Sequence, residues 1–320
     1  MKLVRLLAAA VVITLAAGAI APAVHGQDSA LRYRWTKGQS LRYRTVQESN
    51  ISMSGIPGAG DMTLTTMVTE VHLITASDIA ADGTATLSLK YESMKLDLTT
   101  PMGNMSIDSA ASGPPVDPSL VDAQKMFQAL VGESVTVVMA PTGAVKSVDG
   151  MTRISAKIKA AVPATSALGG VMASLDSMLS DEALKGTMGQ SFANLPDKVV
   201  KPGETWQTTL NMPNPLGAMT VANTFTAKGV ERVEGKDVTR VGVAQKVSVA
   251  PGGTIGPMSV TVSDGTGEGD MLVDHRLGQI VRSTTRQTLP MTMSLSAPDG
   301  TSMSLTGIAK TNVTMTLVDR

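Results

Sequence analysis

The chain has 320 residues, of which 27 are basic and 27 acidic, so its formal net charge at neutral pH is zero. Hydrophobic residues make up 42% of the sequence, but only 2% of the residues are aromatic, whereas methionine occurs 21 times. Proteins that bind nucleic acids need clustered cations and usually stacking aromatic side chains, so we predict no nucleic-acid partner. The sequence contains no cysteine, which excludes disulfides, thiolate zinc sites and a cysteine nucleophile.

The N-terminal residues have the pattern of a secretory signal peptide. Lys2 and Arg5 precede an apolar run from Leu6 to Ala21, and small residues typical of a cleavage site follow it. The run is too short for a comfortable transmembrane helix, and no later stretch approaches the roughly 20 apolar residues that span a bilayer. We therefore expect a signal peptide over residues 1–26 and no transmembrane span in the mature chain.

The predicted leader places the mature chain in the periplasm or outside the cell. A bacterial lipoprotein would carry a cysteine at the processing site, and this sequence has none, so we do not expect a lipid anchor. An uncleaved membrane anchor is the alternative interpretation of the leader. About 290 residues remain after cleavage, a length typical of one or two domains.

Alternating patterns predict strands through most of the mature chain. Residues 84–91, 291–296 and 313–318 place Leu, Met, Val or Ala at every second position, mostly with Thr or Ser between them. This period puts the apolar side chains on one face, which predicts a half-buried antiparallel sheet with a hydroxyl-rich solvent face. Turn sequences between strand-like segments predict hairpins at Asp82-Gly83, Glu234-Gly235 and Asp299-Gly300.

Two regions have helical spacing. Asp117 is a predicted cap and Pro118 suits the first helical position, which predicts a helix over about 118–131. The second region runs over about 152–190. Its apolar side chains recur about one turn apart, at Ile154, Ile158 and Val162 before Pro163 and at Leu168, Met172, Leu175 and Leu179 after it. We expect these helices to cover the apolar face of a curved sheet, because an open sheet must bury that face.

These elements predict an α+β fold that is mainly antiparallel β, with one or more curved sheets covered by a helical insert. The N-terminal β-rich half spans residues 27–150 and includes the first helix. A helical linker or lid follows over 151–192, and the C-terminal β-rich half spans 193–320.

The two halves show a faint internal repeat. Residues 36–41 and 201–206 share a glycine, a polar residue, a hydroxyl and a large apolar residue at the start of a strand. Later turns also correspond, at Gly83 and Gly235 and at Gly143 and Gly278. Duplication of one half is one interpretation, and common turn chemistry of hairpin proteins is the other.

The C-terminal half carries a recognisable pattern of short motifs. A Leu-Pro turn and a valine-rich segment lead to Gly-x-x-Trp, and Asp-x-x-x-Gly follows before a later strand. This pattern resembles a family of uncharacterised bacterial exported proteins, a domain of unknown function. The resemblance implies no assigned activity and gives structural roles to Pro196, Gly203, Trp206, Asp274 and Gly278. The hairpins and intervening helices also resemble, in architecture alone, half-barrel carriers of lipid or lipoprotein in the periplasm.

The two histidines of the mature chain do not indicate a catalytic site. His72 shares one face of a strand-like segment with Val68 and Glu70, and we interpret it as an exposed or partly buried strand histidine. His275 stands beside Asp274 in a predicted turn.

A metal site near this turn is the alternative interpretation, and its candidate ligands are Glu268, Asp270, Asp274 and His275. Adjacent residues on a strand point to opposite faces, and Asp-x-x-x-Gly is ordinary turn chemistry. We therefore predict no metal ion and no cofactor.

The sequence also lacks the motifs of other catalytic and ligand-binding chemistries. No Gly-x-Ser-x-Gly elbow is present, and the glycines at Gly265, Gly267 and Gly269 are not followed by the Lys-Ser/Thr of a phosphate loop. These glycines precede a strand-like run and predict a bulge or a close backbone approach. Met291, Met293 and Met303 suit Cu(I) in ligand type, but a core-facing strand needs the same spacing. We predict no catalytic residues.

The leading functional hypothesis is an exported, non-enzymatic binding module. Its partner would be a hydrophobic small molecule held between sheet and helices, where methionines give an adaptable lining. A structural or interaction protein of the cell envelope, with an envelope protein as partner, is one alternative. An enzyme that uses the acidic residues named above, with or without a metal, is the other.

Overall fold

The computed structural model describes residues 30–56, 60–115, 117–162, 180–181, 184–185, 188, 192, 195–212, 218–250, 253–255, 258–274, 276–296 and 302–319. Within these residues the chain forms one antiparallel sheet of fourteen strands and two α-helices. The strands are β1 (Ser40–Ile56), β2 (Gly60–Ile79), β3 (Ala85–Thr100), β4 (Gly103–Asp108), β5 (Ser134–Met139), β6 (Val145–Asp149), β7 (Thr205–Met212), β8 (Met219–Val233), β9 (Lys236–Val249), β10 (Gly253–Ile255), β11 (Met258–Val262), β12 (Gly265–Asp274), β13 (Gln279–Ser296) and β14 (Ser302–Asp319). The helices are α1 (Val121–Leu130) and α2 (Met151–Ala161).

The strand order follows the chain in two meanders. The path across the sheet is β6-β5-β3-β2-β1 and then β14-β13-β12-β9-β8-β7, so the first and last strands pair in the middle. Three short strands lie off this path: β4 pairs with β3, β11 with β13, and β10 with β11. The sheet therefore joins the N-terminal and C-terminal β-rich segments into one continuous layer.

The two faces of the sheet differ as the alternation predicts. On the inward face, Leu41 and Tyr43 of β1 are almost completely buried. On the outward face, hydroxyl pairs connect neighbouring strands, with 2.9 Å between Ser40 Oγ and Thr75 Oγ1 and 3.0 Å between Ser54 Oγ and Thr306 Oγ1. Period-two patterning thus sets which side chains reach the interior.

The edges of the sheet approach each other at the end that holds the core. A flat sheet with the eleven strands of this path would be about 48 Å wide, because neighbouring strands lie about 4.8 Å apart. Tyr33 N donates to Pro141 O in the turn between β5 and β6, and Leu31 N donates to Lys198 O at 2.9 Å. Lys198 Nζ in turn lies 2.5 Å from Glu204, which directly precedes β7. These links connect both edges through a few residues, so the sheet is strongly curved.

The core fills this curved end. α2 contributes Met151, Ile154 and Ile158, and it is tied to the start of β5 because Arg153 and Lys157 both pair with Glu133. The most deeply buried side chains come from the segment before β1, from both meanders, from α2 and from the segment between α2 and β7: Tyr33, Tyr43, Phe192, Leu41, Ile74, Leu87, Met139, Ile154, Ile280, Gln279 and Val135.

The first predicted helix is present. Asp117 Oδ1 accepts a hydrogen bond from Ser119 N at 2.8 Å, a 3₁₀ turn (Pro118–Leu120) follows, and α1 continues from it. Gly132 has a φ of 85°, which suits glycine, just beyond the last helical turn. The expectation of a mainly antiparallel β fold is confirmed, whereas the helical part of the α+β expectation is modest within the described residues. The protein is mostly an antiparallel sheet, and the two described helices are short beside it.

Several predicted features lie outside the described residues. These are the signal peptide, the turn at Asp299-Gly300, His275, and the apolar positions of the second helical region from Leu168 to Leu179. α2 ends at Ala161, before Pro163. Among the helices that can be described, none is long and apolar enough to cross a membrane.

The two meanders begin with the same local geometry. Gly38 N donates to Ala76 O and Ala76 N to Gln39 O; in the second meander, Gly203 N donates to Ala227 O and Ala227 N to Glu204 O. The pairing register shifts directly after Ala76 in β2 and directly after Ala227 in β8. The hairpin turns at Gly83 and Gly235 then follow in both halves, as the sequence predicts.

Glycines on the inward face of β12 permit close strand contact. A Cβ on Gly269 would overlap Thr284 O, and a Cβ on Gly267 would lie 2.5 Å from Gln245 Oε1. The predicted close backbone approach is confirmed, but these glycines lie inside β12 rather than before it.

We expect Gly269→Ala to lower the free energy of unfolding by about 1–3 kcal/mol, because the added methyl group must displace the backbone of β13. Gly113→Ala is the matched control, since a Cβ there meets no atom within 4 Å. Urea unfolding of the three proteins measures both changes. Equal stability of the Gly269 variant and the wild type would contradict the proposed strand contact.

Candidate functional site

A row of polar side chains crosses the inward face of the sheet. Cross-strand register aligns one residue from each of eight strands, and only the β12 position has no side chain. We call the seven side chains of this row the polar belt: Thr66, Ser49, Thr311, Gln287, Gln245, Asn223 and Thr208, with Gly267 between Gln287 and Gln245.

Hydrogen bonds connect most of the polar belt. Gln287 Nε2 donates to Gln245 Oε1 at 2.9 Å, and Gln245 Nε2 donates to Asn223 Oδ1 at 2.8 Å. Asn223 Nδ2 donates to Thr208 Oγ1 at 3.3 Å. The first of these bonds passes over Gly267, where any side chain would collide with Gln245 Oε1. The belt is therefore a prearranged network, and the glycine is part of its geometry.

The polar belt separates two apolar zones. On its core side, Val243, Phe225 and Met315 belong to the main core. On its other side, a second cluster contains Met219, Val221 and Val247, with Val249 and Leu289 packed against it. Beyond the belt the inward face stays apolar, and although Leu64 and the second cluster are buried there, seven large apolar side chains are only half-buried. We call this surface the half-open apolar face: Ile51, Met53, Met62, Leu289, Met291, Met293 and Leu305.

Methionines dominate the half-open apolar face. Gly307 pairs with Met53 on one side and Met291 on the other, and the Cγ atoms of both methionines lie 3.4 Å from where its Cβ would be. Met293 pairs with Leu305, and Met303 pairs with Leu295. Met291 and Met293 thus share a face as predicted, but Met303 is not directly opposite either of them in the ladder. The lining is flexible thioether and aliphatic surface.

A second polar group lies on the core side of the belt. Tyr43, His72 and Tyr91 are paired in register across β1, β2 and β3, and the rings of Tyr43 and His72 stack with centroids 6.0 Å apart. Thr45 and Glu70 form the next pair toward the belt. We call these five residues the buried polar layer. All of them are buried, so the expectation of an exposed or partly buried His72 is wrong.

Burial determines the protonation of this layer. Desolvation raises the pKa of Glu70 to about 7, and it lowers the pKa of His72 to about 4 against the opposing effect of the Glu92 charge. Desolvation also raises the pKa of Tyr91, and the charge on Glu70 adds to this shift. At neutral pH the imidazole is therefore uncharged, while Glu70 titrates.

Within the described part of the chain, polar groups of this layer are left without hydrogen-bond partners, among them Thr45 Oγ1 and the Glu70 carboxyl group. No ion pair reaches the Glu70 carboxyl group within these residues either. Buried polar groups are normally satisfied, so each exception calls for an explanation. Met94, opposite Glu70, and Val68, two residues along β2, are only half-buried. The unpartnered groups thus lie where the inward face passes from buried to partly exposed.

The sequence contained part of this signal. Alternation places Val68, Glu70 and His72 on one face, as the register confirms. The same parity continues to Ile74 and Ala76, both fully buried, which indicates that this is the core face. Sequence reasoning missed Thr45 because only the pairing of β1 with β2 brings it opposite Glu70.

The three metal-ligand candidates that the structure describes do not converge. Glu268 and Asp270 lie on the outward face, where with Lys228 and Arg286 they line a shallow groove of about 400 Å³. Asp274 is buried, and its Oδ1 accepts hydrogen bonds from the backbone N–H groups two and three positions later in the chain, at 2.8 and 3.0 Å. Over the residues that can be described, no three Asp, Glu or His side chains form a metal-binding group.

The predicted structural motif residues occupy turns and core contacts. Gly278 N donates to Asp274 O, and Gly203 has a φ of 87° in the turn before β7. Trp206 stacks on Phe225 with ring centroids 5.4 Å apart and packs against the core. Pro196 lies between Leu195, whose N donates to Thr142 O, and Asp197, whose N donates to Leu31 O.

Comparison with known proteins identifies a family. The sequence model described as "Family of unknown function (DUF6263)" matches residues 82–280, more than half of the chain, and includes the motifs around Trp206 and Asp274. The predicted resemblance to a domain of unknown function is thereby confirmed. No curated protein matches the sequence.

Similarity to solved structures is low. A lipovitellin structure, titled for its lipid–protein interactions, aligns with a TM-score of 0.43 and 11% identity over 89% of this chain. The chain spans only 26% of that lipovitellin chain. A DUF1329 family protein from Desulfovibrio piger has a TM-score of 0.12 and 10% identity over 86% of this chain and 85% of its own. The COG4313 outer membrane channel from Pseudomonas putida F1 has a TM-score of 0.19 and 8% identity over 92% of this chain and all of its own. Such low similarity does not establish a function.

The opposite pKa shifts of Glu70 and His72 predict opposing effects of pH on stability. The folded state keeps a proton on Glu70 that the unfolded chain releases. The contribution of Glu70 to the free energy of unfolding is therefore complete below about pH 4.5 and is lost as the pH rises to about 7. The unfolded chain protonates His72 when the folded state does not, so that contribution is complete above about pH 6.5 and is lost as the pH falls to about 4. The two effects cancel in between.

We expect Glu70→Gln to remove this balance. Relative to the wild type, its free energy of unfolding should rise by about 1.4 kcal/mol per pH unit between about pH 5 and 6.5. His72→Gln should show a slope of opposite sign over the same range. Urea unfolding at several pH values measures both, and Glu48→Gln, which removes an exposed carboxylate from β1, is the matched control for the loss of one carboxyl group. Parallel curves for Glu70→Gln and the wild type would refute the assignment.

Proposed function

This chain belongs to the DUF6263 family of unknown function, and we propose that it is an exported, non-enzymatic module that binds a hydrophobic molecule on the inward face of its sheet. The half-open apolar face carries this proposal. It continues the core side of the long strands beyond the packed core, and its side chains remain half-exposed. Export follows from the predicted signal peptide, residues 1–26.

The physical argument concerns the free-energy cost of leaving this apolar surface in contact with water. Apolar area that stays in contact with water forgoes about 25 cal/mol per Å² of stabilisation. Seven large apolar side chains on one side of one sheet form a contiguous surface, and contiguous exposed apolar surfaces mark binding sites. A bound hydrophobic molecule would remove that surface from water. Methionines at Met53, Met62, Met291 and Met293 would adapt to ligands of different shape.

The polar belt supports the same proposal by limiting the site. Its amide groups are already bonded to one another, so they present a fixed polar boundary between the half-open apolar face and most of the core. A ligand on this face would contact side chains of both meanders, because β1 and β14 are adjacent there.

A structural or protein-interaction role is the second candidate. β6 and β7 are the two ends of the strand path and each pairs with a single strand of the sheet. An unpaired strand edge can accept a strand from another protein. The ligand experiment separates the two functions.

We expect protein isolated from the periplasm or medium of a bacterial host to carry a hydrophobic molecule. Native mass spectrometry should show an excess mass that organic extraction removes. A protein of the calculated mass, together with no binding of a dansyl-labelled hexadecyl probe by the purified chain, would contradict the proposal and favour the interaction role.

A matched pair of variants tests the position of the site. Met291→Asp puts a charge on the half-open apolar face and should weaken probe binding at least about tenfold, because burying a charge against an apolar ligand is unfavourable. Thr292→Asp puts the same charge on the outward face of the same strand and should leave binding unchanged. Probe fluorescence gives both dissociation constants. Equal effects of the two substitutions would place the ligand elsewhere.

A further inference from the structure

The Glu70 carboxyl group ends an apolar path that bypasses the polar belt. The belt begins at Thr66 on β2, and β3 contributes no polar side chain to that row, because Leu98 occupies the position opposite Thr66. On β3 the inward residues from Glu70 toward the strand tip are Met94, Leu96 and Leu98. A ligand chain lying along β2 and β3 would therefore meet mainly aliphatic and thioether surface until it reached Glu70.

The groups at the end of this path are suited to a cation. Tyr43, His72 and Tyr91 form a row of three aromatic rings directly beyond Glu70, in a chain with only three tyrosines. The faces of aromatic rings attract organic cations, and Thr45 Oγ1 adds an unpartnered acceptor beside the carboxyl group. A carboxylate, a hydroxyl and ring faces together favour a positively charged group over an anion.

We propose that the cationic head group of an amphiphile, an alkylamine or alkylammonium, binds against Glu70 and Thr45 while its apolar chain lies along β2 and β3. This inference rests on the proposed function, because the same molecule would use the inward apolar surface. The site lies at the boundary of the buried region, since Val68 and Met94 next to Glu70 are half-buried. A head group reaches the carboxyl by displacing these two side chains.

The charges around the site leave Glu70 as the cation-binding group. The titratable neighbours on the inward face are His72 on the same strand, Tyr43 on β1 and Tyr91 on β3. The nearby ion pair between Arg42 and Glu92, with Nε to Oε2 at 2.6 Å, joins outward-facing residues. Burial lowers the pKa of His72 and raises that of Tyr91, so both stay uncharged near neutral pH.

Ligand charge then couples to the protonation of Glu70. With a pKa raised to about 7 by desolvation, Glu70 is mostly neutral at pH 5.5 and mostly ionised at pH 8. An ammonium group prefers the ionised carboxylate, so cation binding should strengthen as the pH rises over this range. A neutral amphiphile of the same chain length should show little change.

The test compares three amphiphiles with one alkyl chain: dodecyltrimethylammonium, tetraethylene glycol dodecyl ether and dodecanoate. Each displaces the dansyl-labelled hexadecyl probe from the full chain, below its micelle concentration, at pH 5.5 and pH 8. At pH 8 we expect the cation to bind about tenfold more tightly than the neutral ether, and the anion to bind most weakly. At pH 5.5 the preference for the cation should shrink to about threefold or less.

Glu70→Gln should abolish the preference for the cation and leave the affinity for the neutral ether within about twofold of the wild type. Glu48→Gln, which removes an exposed carboxylate from the neighbouring strand, should leave the preference unchanged. The wild-type comparison at two pH values tests the inference even if the Glu70 variant does not fold.

Each outcome has a distinct meaning. Equal binding of cation and ether by the wild type at pH 8, or a preference that survives in Glu70→Gln, overturns the head-group assignment and leaves the hydrophobic site intact. Failure of the probe and of all three amphiphiles to bind overturns the proposed function, and the head-group inference with it.

Discussion

The antiparallel pairing of β1 with β14 is the constraint on which the inward surface depends. It joins two meanders that would otherwise be separate sheets, and it aligns residues from opposite ends of the chain. Because side chains alternate with period two, a slip of one residue at this seam would turn Ser49, Thr45 and their partners to the outward face of one meander. The polar belt exists only in the observed register, since its Ser49–Thr311 contact at 3.0 Å spans this seam.

The belt and the unusual composition support each other. A core made of Val, Leu, Ile and Met with few aromatic rings offers many similar packings, and flexible methionines specify position poorly. Directional hydrogen bonds between Gln287, Gln245 and Asn223 distinguish one arrangement of the strands from its neighbours. Gly267 makes this possible, because it opens the space through which two glutamines on non-adjacent strands meet.

Local patterns in the sequence predict the strands, the hairpin turns at Gly83 and Gly235, and the cap at Asp117, because each depends on residues close together in the chain. The seam, the belt and the burial of Glu70 depend on which strands become neighbours, and no local pattern encodes that. His72 shows the difference: its face was predictable, but its burial follows from the curvature of the whole sheet.

The corresponding starts of the two meanders show how their interiors differ. The turns at Gly38 and Gly203 are equivalent, and so are the bulges after Ala76 and Ala227. Counted from these points, one row of the first meander matches one row of the second. The matching rows are Tyr43, His72 and Tyr91 in the first meander and Thr208, Asn223 and Gln245 in the second. By the same count, Glu70 corresponds to the buried Val221. One framework thus carries aromatic rings and a carboxyl group in the first meander, and neutral amide and hydroxyl groups in the second. On the proposed head-group assignment, a cationic amphiphile on this surface would have one favoured orientation, with its head group in the N-terminal half.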